Sequence, residues 1–228
     1  DFTDVKGQFL AKRAIEIAAA GGHNIFLIGD PGSGKSMLAK RIITILPNMH
    51  EEEIIETTKI YSIAGLLSEN EPIISKRPFR APHHTASVVS LVGGSSKPGE
   101  ISLALNGVLF LDELGEYPTK LLEVLRQPLE DGKIIISRSD FVATYPVNML
   151  FITATNPTPS GYFADDLRCT DSLRDIKRYM KKFSGPLLDR MDIYVELKKL
   201  TNEEMLNKEK GEASSDIRTR VKHAREIQ

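Results

Sequence analysis

The sequence predicts an α/β fold in which helices cover both faces of a parallel sheet, and three observations support this prediction. Short apolar segments alternate along the chain with segments of helical periodicity. The first apolar segment, residues 24–28, leads directly into a glycine-rich loop at 29–36. Apolar residues then recur at the spacing of a helix, at Met37, Leu38, Ile42 and Ile45. Strand, loop and helix in this order are typical of doubly wound sheets, which bind ligands at the carboxyl ends of their strands.

The amino-terminal half supplies one further helix and few other regular elements. Residues 8–20 are strong helix formers, and the glycines at 21 and 22 end this predicted helix. A weak strand is predicted at 57–60. The stretch 73–96 is rich in proline, glycine, serine and histidine, which predicts loops and short elements. A stretch of this length inside a domain usually carries function.

The middle of the chain continues the alternation of strands and helices. A buried strand at 108–111 precedes Pro118, which suits the first turn of a helix whose leucines share one face. Residues 134–137 and 142–145 are predicted to form a hairpin, and 149–154 is another buried strand.

The last part of the chain contains one strand and two helical stretches. Residues 172–183 are basic and partly helical, and 193–197 is the final predicted strand. A polar linker at 207–215 leads to a helix that starts at Asp216. We therefore expect a core at 1–200, followed at 201–228 by a linker and the start of an incomplete helical lid.

Composition and net charge limit the partners and the cellular compartment that the protein can have. The 228 residues carry a net charge of −1, so nucleic-acid binding would need a local basic patch. No apolar run approaches the roughly 18 residues of a membrane span. The single cysteine, Cys169, fits a reducing compartment, and we expect a cytoplasmic protein without membrane contact. Because the first residue is Asp1, the chain is expected to be a piece of a longer protein.

The glycine-rich loop is a complete phosphate-binding motif. Its eight residues are Gly29, Asp30, Pro31, Gly32, Ser33, Gly34, Lys35 and Ser36. Backbone amides of such a loop surround phosphates, and the helix that follows adds the partial positive charge of its amino terminus. Lys35 is expected to reach the β- and γ-phosphates and Ser36 to reach Mg²⁺. A glycine-rich turn without function is the alternative, which the flanking strand and helix disfavour. The sequence thus predicts binding of a nucleoside triphosphate.

Other polar residues follow or precede the predicted strands. Asp112 and Glu113 end one strand, where one carboxylate can hold the shell of Mg²⁺ and the next can polarise a water molecule. Asn156 ends another strand and either contacts the γ-phosphate or starts a turn. Arg190 precedes the last strand and either stabilises phosphoryl charge, in trans, or forms a salt bridge with Asp189 or Asp192.

These motifs in this order resemble the AAA+ ATPases, and more narrowly the magnesium-chelatase-like, ComM/YifB-type branch. The resemblance rests on the four motifs GDPGSGKS, VLFLDE, TATNP and SGPLLDRMD, and on three longer stretches, RPFRAPHHT at 77–85, GGSSKPGEISLALNGVLFLDEL at 93–114 and LRQPLEDGKIIISR at 125–138. It implies a P-loop NTPase fold, a three-layer αβα sandwich around a parallel five-stranded sheet. It also implies that the family's amino-terminal domain is absent from the chain.

The resemblance assigns roles to individual residues. Lys35 and Ser36 correspond to Walker A, Asp112 and Glu113 to Walker B, and Asn156 to sensor 1. Arg190 corresponds to an arginine finger that acts on a neighbouring subunit of a ring. The resemblance implies a ring of six subunits in the intact protein, whereas the fragment alone is expected to be monomeric. ATP and Mg²⁺ are the implied cofactors.

The resemblance also implies contacts with adenine and DNA. Val5 and Gly7 would lie near the adenine. The segment 98–106 resembles the insertion in helix 2, and 134–145 resembles the hairpin before sensor 1. Such hairpins touch DNA in related motors, so Arg138 and Lys97 are candidate DNA contacts; an ordinary surface position on a turn is the alternative.

The chain departs from the family pattern after sensor 1. Family members often carry four cysteines there, whereas this chain has Thr158 and Ser160, and then Cys169 at the end of the triplet 167–169. One thiolate does not make a four-ligand site, so no zinc is predicted. The region of the sensor 2 arginine is also absent.

Four functions compete. The leading one is a Mg²⁺-dependent ATPase motor that acts as a ring on DNA, as a helper of branch migration or recombination. The alternative is a chelatase-type remodeller that uses ATP on a protein partner without binding DNA. A small-molecule kinase shares only the phosphate loop, and a purely regulatory nucleotide-binding module is disfavoured by the intact Glu113.

Overall fold

Seven strands, nine α-helices and three short 3₁₀-helices make up the regular structure in the part of the chain that the structure describes. The structure, a computed structural model, describes residues 1–94, 97–138, 141–183, 185–201, 204 and 211–228, without the side chains of 137, 138 and 141. The strands are β1 (Ile25–Gly29), β2 (Phe79–Arg80), β3 (Val108–Leu111), β4 (Lys133–Arg138), β5 (Phe141–Pro146), β6 (Leu150–Thr155) and β7 (Ile193–Leu197). The helices are α1 (Phe9–Gly21), α2 (Lys35–Arg41), α3 (Glu51–Ala64), α4 (Val88–Val92), α5 (Glu100–Leu103), α6 (Thr119–Asp131), α7 (Leu173–Met180), α8 (Gly185–Leu188) and α9 (Ser214–Ile227).

Five of the strands form one parallel sheet in the order β2-β3-β6-β1-β7. The central strand β1 pairs with β6 on one side and β7 on the other, with Ile25 opposite both Ile152 and Ile193. Strands β3 and β6 are buried along their whole length. This is the pattern of a parallel sheet covered on both faces, and it explains their continuous apolar sequence. The predicted parallel five-stranded sheet is confirmed.

Two apolar cores, one on each face of the sheet, make the molecule a three-layer sandwich. One core joins α1, α2 and α9 to the sheet through residues such as Ile15, Leu38 and Val221. The other joins α5, α6, α7 and the β4–β5 hairpin through residues such as Leu122 and Phe151. The three-layer architecture expected from the sequence is therefore present.

The strand predicted at 57–60 is wrong, because these residues lie within α3. Three glutamates occupy the first turn of α3, where their negative charges interact favourably with the helix dipole. Gly65 ends the helix in a left-handed conformation. Thr57, Ile60 and Ala64 recur at intervals of three and four residues and form the buried face. The helical period overrides the β preference of a short window.

Helix α9 packs on α1 and shares the core of the sheet. Its Ile217 and Val221 belong to the same apolar cluster as Ile15 of α1. At its start, the Ser214 hydroxyl accepts a hydrogen bond of 2.9 Å from the amide of Phe2. The predicted helix is confirmed, and it belongs to the same helical layer as α1. The division of the chain into a core and a lid at residue 200 stays a prediction.

The predicted hairpin is confirmed as β4 and β5, a separate two-stranded sheet. The other segment expected to form a hairpin, 98–106, is not one. It contains α5, whose Ile101, Ser102 and Leu103 are buried, and a turn that packs in the core. The only pairing there among the described residues is a single bridge between Gly93 and Pro98. An apolar face that must be buried explains why this segment cannot project into solvent.

No described helix combines the length and the apolar character that crossing a membrane requires.

Candidate nucleotide site

The candidate site is built where adjacent parallel strands end. The glycine-rich loop follows β1, Asp112 and Glu113 follow β3, and Asn156 follows β6. Because β3, β6 and β1 are neighbours in the sheet, their carboxyl ends bring these groups to one edge. The predicted convergence of the loop, the acidic pair and the asparagine is thus present in the structure.

Glycines let the loop adopt its shape. A Cβ on Gly29 would lie 2.2 Å from the carbonyl oxygen of Leu197, so only glycine allows β1 and β7 to approach there. Gly32 and Gly34 have φ angles of 77° and 95°, which side chains disfavour, and α2 begins directly after Gly34. The loop therefore presents backbone amides and a helix amino terminus to the site.

Lys35 is buried and spans the loop to the neighbouring strand end. Its ammonium donates to the carbonyl oxygens of Gly29 at 2.6 Å and Asp30 at 2.9 Å, and to Oδ1 of Asn156 at 3.2 Å. Burial lowers the pKa of Lys35 from its ordinary value, and the negative charge of Asp112 chiefly opposes this shift. The contact with Asn156 places both groups within reach of one phosphate.

Ser36 and Asp112 form a set of oxygen donors. The Ser36 hydroxyl donates to Oδ2 of Asp112 at 2.5 Å. Mg²⁺ in phosphoryl-transfer enzymes is held by one or two carboxylates together with phosphates and waters. A hydroxyl and a carboxylate oxygen this close, beside a phosphate loop, fit that ion. The same pairing supports the predicted metal role of both residues, which stays a prediction.

Glu113 occupies an uncommon backbone conformation at the end of β3. Its φ angle is 51°, in the left-handed region that a glutamate adopts at a cost of roughly 1–3 kcal/mol. Its side chain is 59% exposed, and Oε2 lies 3.3 Å from Nδ1 of His84. Its charge contributes to raising the pKa of Lys35, so the carboxylate lies within electrostatic range of the ammonium. Strained residues of this kind are concentrated at functional sites.

Tyr179, on α7, fixes the position of Asn156. Its hydroxyl donates to the carbonyl oxygen of Asn156 at 3.1 Å and lies 2.8 Å from Oγ1 of Thr155. Burial raises the pKa of Tyr179, so this hydroxyl remains protonated at neutral pH. No motif marks Tyr179 in the sequence, since a tyrosine within a basic helix belongs to no pattern tied to a chemistry.

A cavity of about 300 Å³ adjoins the phosphate loop. It is lined by Asp4, Lys6, Gln8, Gly32, Ser33, Gly34, Met37, Leu38, Lys199 and Leu200. Val5 is fully buried in the core beneath this segment. Gly7 has a φ angle of 52°, and a Cβ there would lie 2.7 Å from Cδ2 of Leu200. Both residues predicted near adenine therefore shape the segment that borders the cavity.

Gln8 joins this segment to the phosphate loop, and no motif in the sequence marks it. Its side-chain amide donates to the carbonyl oxygens of Ser33 at 3.1 Å and Lys198 at 2.7 Å. Like Gly7, it has a positive φ angle. The tight turn at Gly7 and Gln8 is thus held against both the loop and the end of β7.

The loop after Asn156 folds onto the phosphate loop. Arg168 donates to Oδ2 of Asp30 at 3.0 Å and lies 4.1 Å from the centre of the Tyr162 ring. A Cβ on Gly161 would lie 2.8 Å from Cγ of Pro31. The second and third residues of the phosphate-binding motif are therefore braced by this loop, which the sequence alone did not indicate.

Hydrogen bonds hold the same loop together. Ser160 donates from its amide to Asp171 at 2.8 Å and from its hydroxyl to Sγ of Cys169 at 3.7 Å, and the Thr158 hydroxyl donates to Tyr162 at 2.7 Å. The Cys169 thiol in turn donates to Oδ2 of Asp171 at 3.9 Å. Leu167, two residues before Cys169, is fully exposed, so it takes no part.

Arg190 lies at the opposite edge of the sheet. It precedes β7, and its carbonyl oxygen accepts from the side chain of Asn24, which precedes β1. Its guanidinium forms a salt bridge of 2.8 Å with Glu130. The alternative prediction of a salt bridge is therefore right in kind, but the predicted partner, Asp189 or Asp192, is wrong. Strand β1 separates Arg190 from the phosphate loop of its own chain by about 13 Å, at 3.3 Å per residue.

The two candidate DNA contacts belong to segments that pack beside each other. Lys97 is exposed, and its carbonyl oxygen accepts from the amide of Gly94 at 2.9 Å. A Cβ on Gly93 would lie 2.9 Å from Cδ1 of Ile136 in β4, so this turn packs beside the hairpin. Arg138 ends β4 in the backbone register, and its side chain lies outside the described part of the chain.

Known proteins similar to this chain place the site in context. Residues 1–205 match the family described as "Magnesium chelatase, subunit ChlI". The chain is 47% identical over 234 residues to competence protein ComM of Haemophilus influenzae, covering 100% of this chain and 45% of that protein. It is 46% identical over 233 residues to the uncharacterized protein YifB of Escherichia coli K12, with the same coverage. The chain therefore spans 45% of the length of both relatives.

Solved structures show the same fold. NtrX from Brucella abortus, in complex with ATP, matches with a TM-score of 0.52 and 19% identity, over 86% of this chain and 38% of that one. This likeness confirms the P-loop AAA+ fold predicted from the sequence. With the family match over most of the chain and the identity to ComM and YifB, the chain belongs to the magnesium chelatase ChlI family, as an AAA+ ATPase of the ComM and YifB type.

Proposed function

We propose that the chain binds ATP in the cavity beside the phosphate loop and hydrolyses it with the help of Mg²⁺. The observation that carries this proposal is the convergence of Lys35, Asp112, Glu113 and Asn156 at one edge of the sheet. Phosphoryl transfer depends mainly on positioning and on neutralising charge, and these groups supply both.

Each residue has a distinct task in this proposal. The loop amides and Lys35 hold the β- and γ-phosphates, and Lys35 exchanges its contacts with the loop carbonyls for phosphate oxygens. Ser36 and Asp112 would hold Mg²⁺, which neutralises phosphate charge when bound. The Glu113 carboxylate accepts a hydrogen bond from the attacking water and thereby orients this water. Asn156, held by Tyr179, contacts the γ-phosphate from the other side.

Arg190 completes the site of a neighbouring subunit in this proposal. It lies at the opposite edge of the sheet from its own phosphate loop, so it serves a second copy of the chain. A guanidinium supplied in this way stabilises charge on the γ-phosphoryl group and makes hydrolysis depend on assembly.

We further propose that the assembled ring acts on DNA. The hairpin of β4 and β5 stands outside the main sheet, and the turn that carries Lys97 packs beside it. Arg138, at the end of β4, and the exposed Lys97 would supply the cationic contacts to a phosphate backbone, which cationic side chains bind without regard to sequence. A chelatase-type remodeller that acts on a protein partner is the alternative.

Replacement of Glu113 tests the hydrolytic role. Glu113→Gln is expected to bind ATP normally and to lose turnover by a factor of about 10²–10⁴, because the amide no longer polarises water. Equilibrium binding and steady-state phosphate release measure the two effects on the full-length protein. Glu116→Gln, three residues further on, is the matched control and keeps both. Normal turnover in Glu113→Gln would refute the assigned role.

The role on DNA is tested by the ATPase rate of the full-length protein with and without forked DNA. Stimulation by several fold, lost in Arg138→Ala and kept in Lys120→Ala, is the expected result. A rate that does not respond to DNA would contradict the DNA proposal and favour the remodeller, while leaving the hydrolytic proposal intact.

A further inference from the structure

A cavity at the amino-terminal edge of the sheet lies away from the phosphate loop, and the proposed function gives it no ligand. Its volume is about 440 Å³, within the range of roughly 300–1,000 Å³ that is usual for small-molecule sites. Arg77 forms part of its wall and lies two residues before β2. Because the catalytic groups follow strands of the same parallel sheet, the cavity and the phosphate loop lie at opposite edges.

The walls of the cavity come from two separate parts of the fold. Residues 47–50, which precede α3, and Arg77 form one wall, and α9 forms the other. Helix α9 contributes Arg218, Lys222 and Arg225, whose spacing of four and three residues places them on one helix face. The cavity therefore lies between α9 and the segments that lead into α3 and β2.

Positive charge exceeds negative charge around the cavity. Its lining contains two carboxylates, those of Glu53 and Glu226, and four side chains that are cationic at all ordinary pH values, namely Arg77, Arg218, Lys222 and Arg225. Two positive charges are thus in excess. A recess lined by charges of one sign concentrates the electric field and attracts ions of the opposite sign.

Both carboxylates already have cationic partners. Arg77, whose side chain is 9% exposed, forms a salt bridge of 2.9 Å with Glu53 and also donates to the carbonyl oxygen of Asn106 at 2.7 Å. Nζ of Lys222 lies 3.7 Å from Oε1 of Glu226. The excess charge therefore resides on Arg218 and Arg225.

These two arginines contact only neutral acceptors within the part of the chain that the structure describes. Arg218 donates to the carbonyl oxygen of Thr44 from Nε at 3.0 Å and from its terminal nitrogen at 2.6 Å, and Nε of Arg225 donates to the carbonyl oxygen of Ala19 at 2.9 Å. Burial lowers the pKa of Arg225, and the positive charge of Arg77 lowers it further. A half-buried guanidinium beside a second cation is stabilised when an anion enters.

We propose that this cavity binds a phosphate group, either the free ion or that of a phosphorylated small molecule. A phosphate monoester carries a charge of about −1.5 to −2 at neutral pH, which matches the excess of positive charge. Guanidinium groups bind phosphate oxygens through paired, charge-assisted hydrogen bonds. An anion held in this way joins α9 to the core of the sheet. The proposal is independent of the proposed hydrolytic function.

Calorimetric titration of the full-length protein tests this proposal. The protein carries Lys35→Ala, so that the phosphate loop does not contribute to the measured heat. Inorganic phosphate and glycerol 3-phosphate are the probes, and sodium chloride at equal ionic strength is the reference. Saturable binding of at least one probe is expected. Tighter binding of inorganic phosphate supports the free ion as the ligand, whereas tighter binding of glycerol 3-phosphate supports a phosphorylated small molecule.

Two replacements in α9 are expected to change the affinity in opposite directions. Arg218→Gln should weaken phosphate binding by about three- to tenfold, since an exposed guanidinium is partly screened by solvent. Glu226→Gln removes a negative charge from the wall and releases Lys222, so it should tighten binding by about two- to fivefold. Arg174→Gln, on the exposed surface of α7, makes the same chemical change as Arg218→Gln outside the cavity and should leave the affinity unchanged.

Three results would each overturn the inference. They are the absence of saturable binding of both probes, an unchanged affinity in Arg218→Gln, and a weaker affinity in Glu226→Gln. A variant that folds poorly loses affinity and does not gain it, so tighter binding by Glu226→Gln distinguishes a local electrostatic effect from damage to the fold.

Discussion

Lys35 shows how a single buried charge prepares the site. Its ammonium is held by two loop carbonyls and by Asn156, all neutral acceptors. Phosphate oxygens carry negative charge and are stronger acceptors, so exchange of partners favours the bound nucleotide. The burial that lowers the pKa of Lys35 also strengthens its interaction with an incoming phosphate.

Replacement of Lys35 should strongly weaken nucleotide binding. Each charge-assisted hydrogen bond contributes about 1.5–3 kcal/mol, so Lys35→Ala is expected to weaken ATP affinity by at least about tenfold. Titration with a fluorescent ATP analogue measures this change. Lys40→Ala, on the exposed side of the same helix, is the control and should bind normally. Wild-type affinity in Lys35→Ala would contradict the assignment.

At the scale of residues, the sequence predicted the site residues that belong to local motifs. Lys35, Ser36 and Asp112 were identified because their types and order are tied to one chemistry, and the structure brings them together. Gln8, His84, Arg168 and Tyr179 were missed, since their contacts join segments distant in the chain. His84 lies within the stretch 77–85, which the resemblance to the family includes. Its proximity to Glu113 becomes visible only through the pairing of β2 with β3.

At the scale of elements, α7 packs closely against Gly115 at the catalytic edge. A Cβ on Gly115 would lie 2.3 Å from the hydroxyl oxygen of Tyr179 and 2.4 Å from Cε2 of its ring. The Lys182 side chain also donates to the Gly115 carbonyl at 2.7 Å. The segment after Glu113 and the helix that holds Asn156 are thus packed against each other.

Gly115→Ala should displace α7 and destabilise the fold. Overpacking of this kind typically costs about 1–3 kcal/mol. A lower midpoint of thermal unfolding is expected, together with a lower ATPase rate, because Tyr179 loses its position over Asn156. Gly185→Ala is the control, since a Cβ there meets nothing within 4 Å. Equal midpoints for the two variants would show that α7 is not docked as described.

Elements with strong periodicity were predicted well and irregular segments were not. Strands β1 and β3 are continuous apolar runs, β6 is apolar apart from its two threonines, and β7 alternates between buried and less buried residues. The positions of all four agree with the prediction to within one or two residues. Helix α3 was mistaken for a strand because its exposed face carries Ile55 and Ile63, which blur the amphipathic pattern. The segment 98–106 was assigned by resemblance, and its burial becomes visible only when its partners in the core are known.

At the scale of the whole molecule, the positions of Arg190 and the phosphate loop predict catalysis between subunits. Arg190→Ala and Lys35→Ala are each expected to be inactive alone. Mixing the two variants should recover part of the ATPase rate, because some sites combine an intact Lys35 with an intact Arg190 from the neighbour. The steady-state rate of mixtures at several ratios measures this effect.

A matched mixture controls for changes in assembly. Arg190→Ala mixed with a chain that carries both replacements should remain inactive, since no site then contains both groups. Absence of recovery in the first mixture would indicate that Arg190 acts within its own chain or only through its ion pair with Glu130.

Arg190 and the phosphate loop lie at opposite ends of the parallel strands, so the two halves of the proposed composite site lie on different faces of each copy of the chain. A head-to-tail contact would join the arginine edge of one copy to the nucleotide edge of the next, and such contacts close into rings or continue as filaments. In a closed ring every subunit is both a donor and a recipient, so one defective copy would silence its own site or that of a single neighbour.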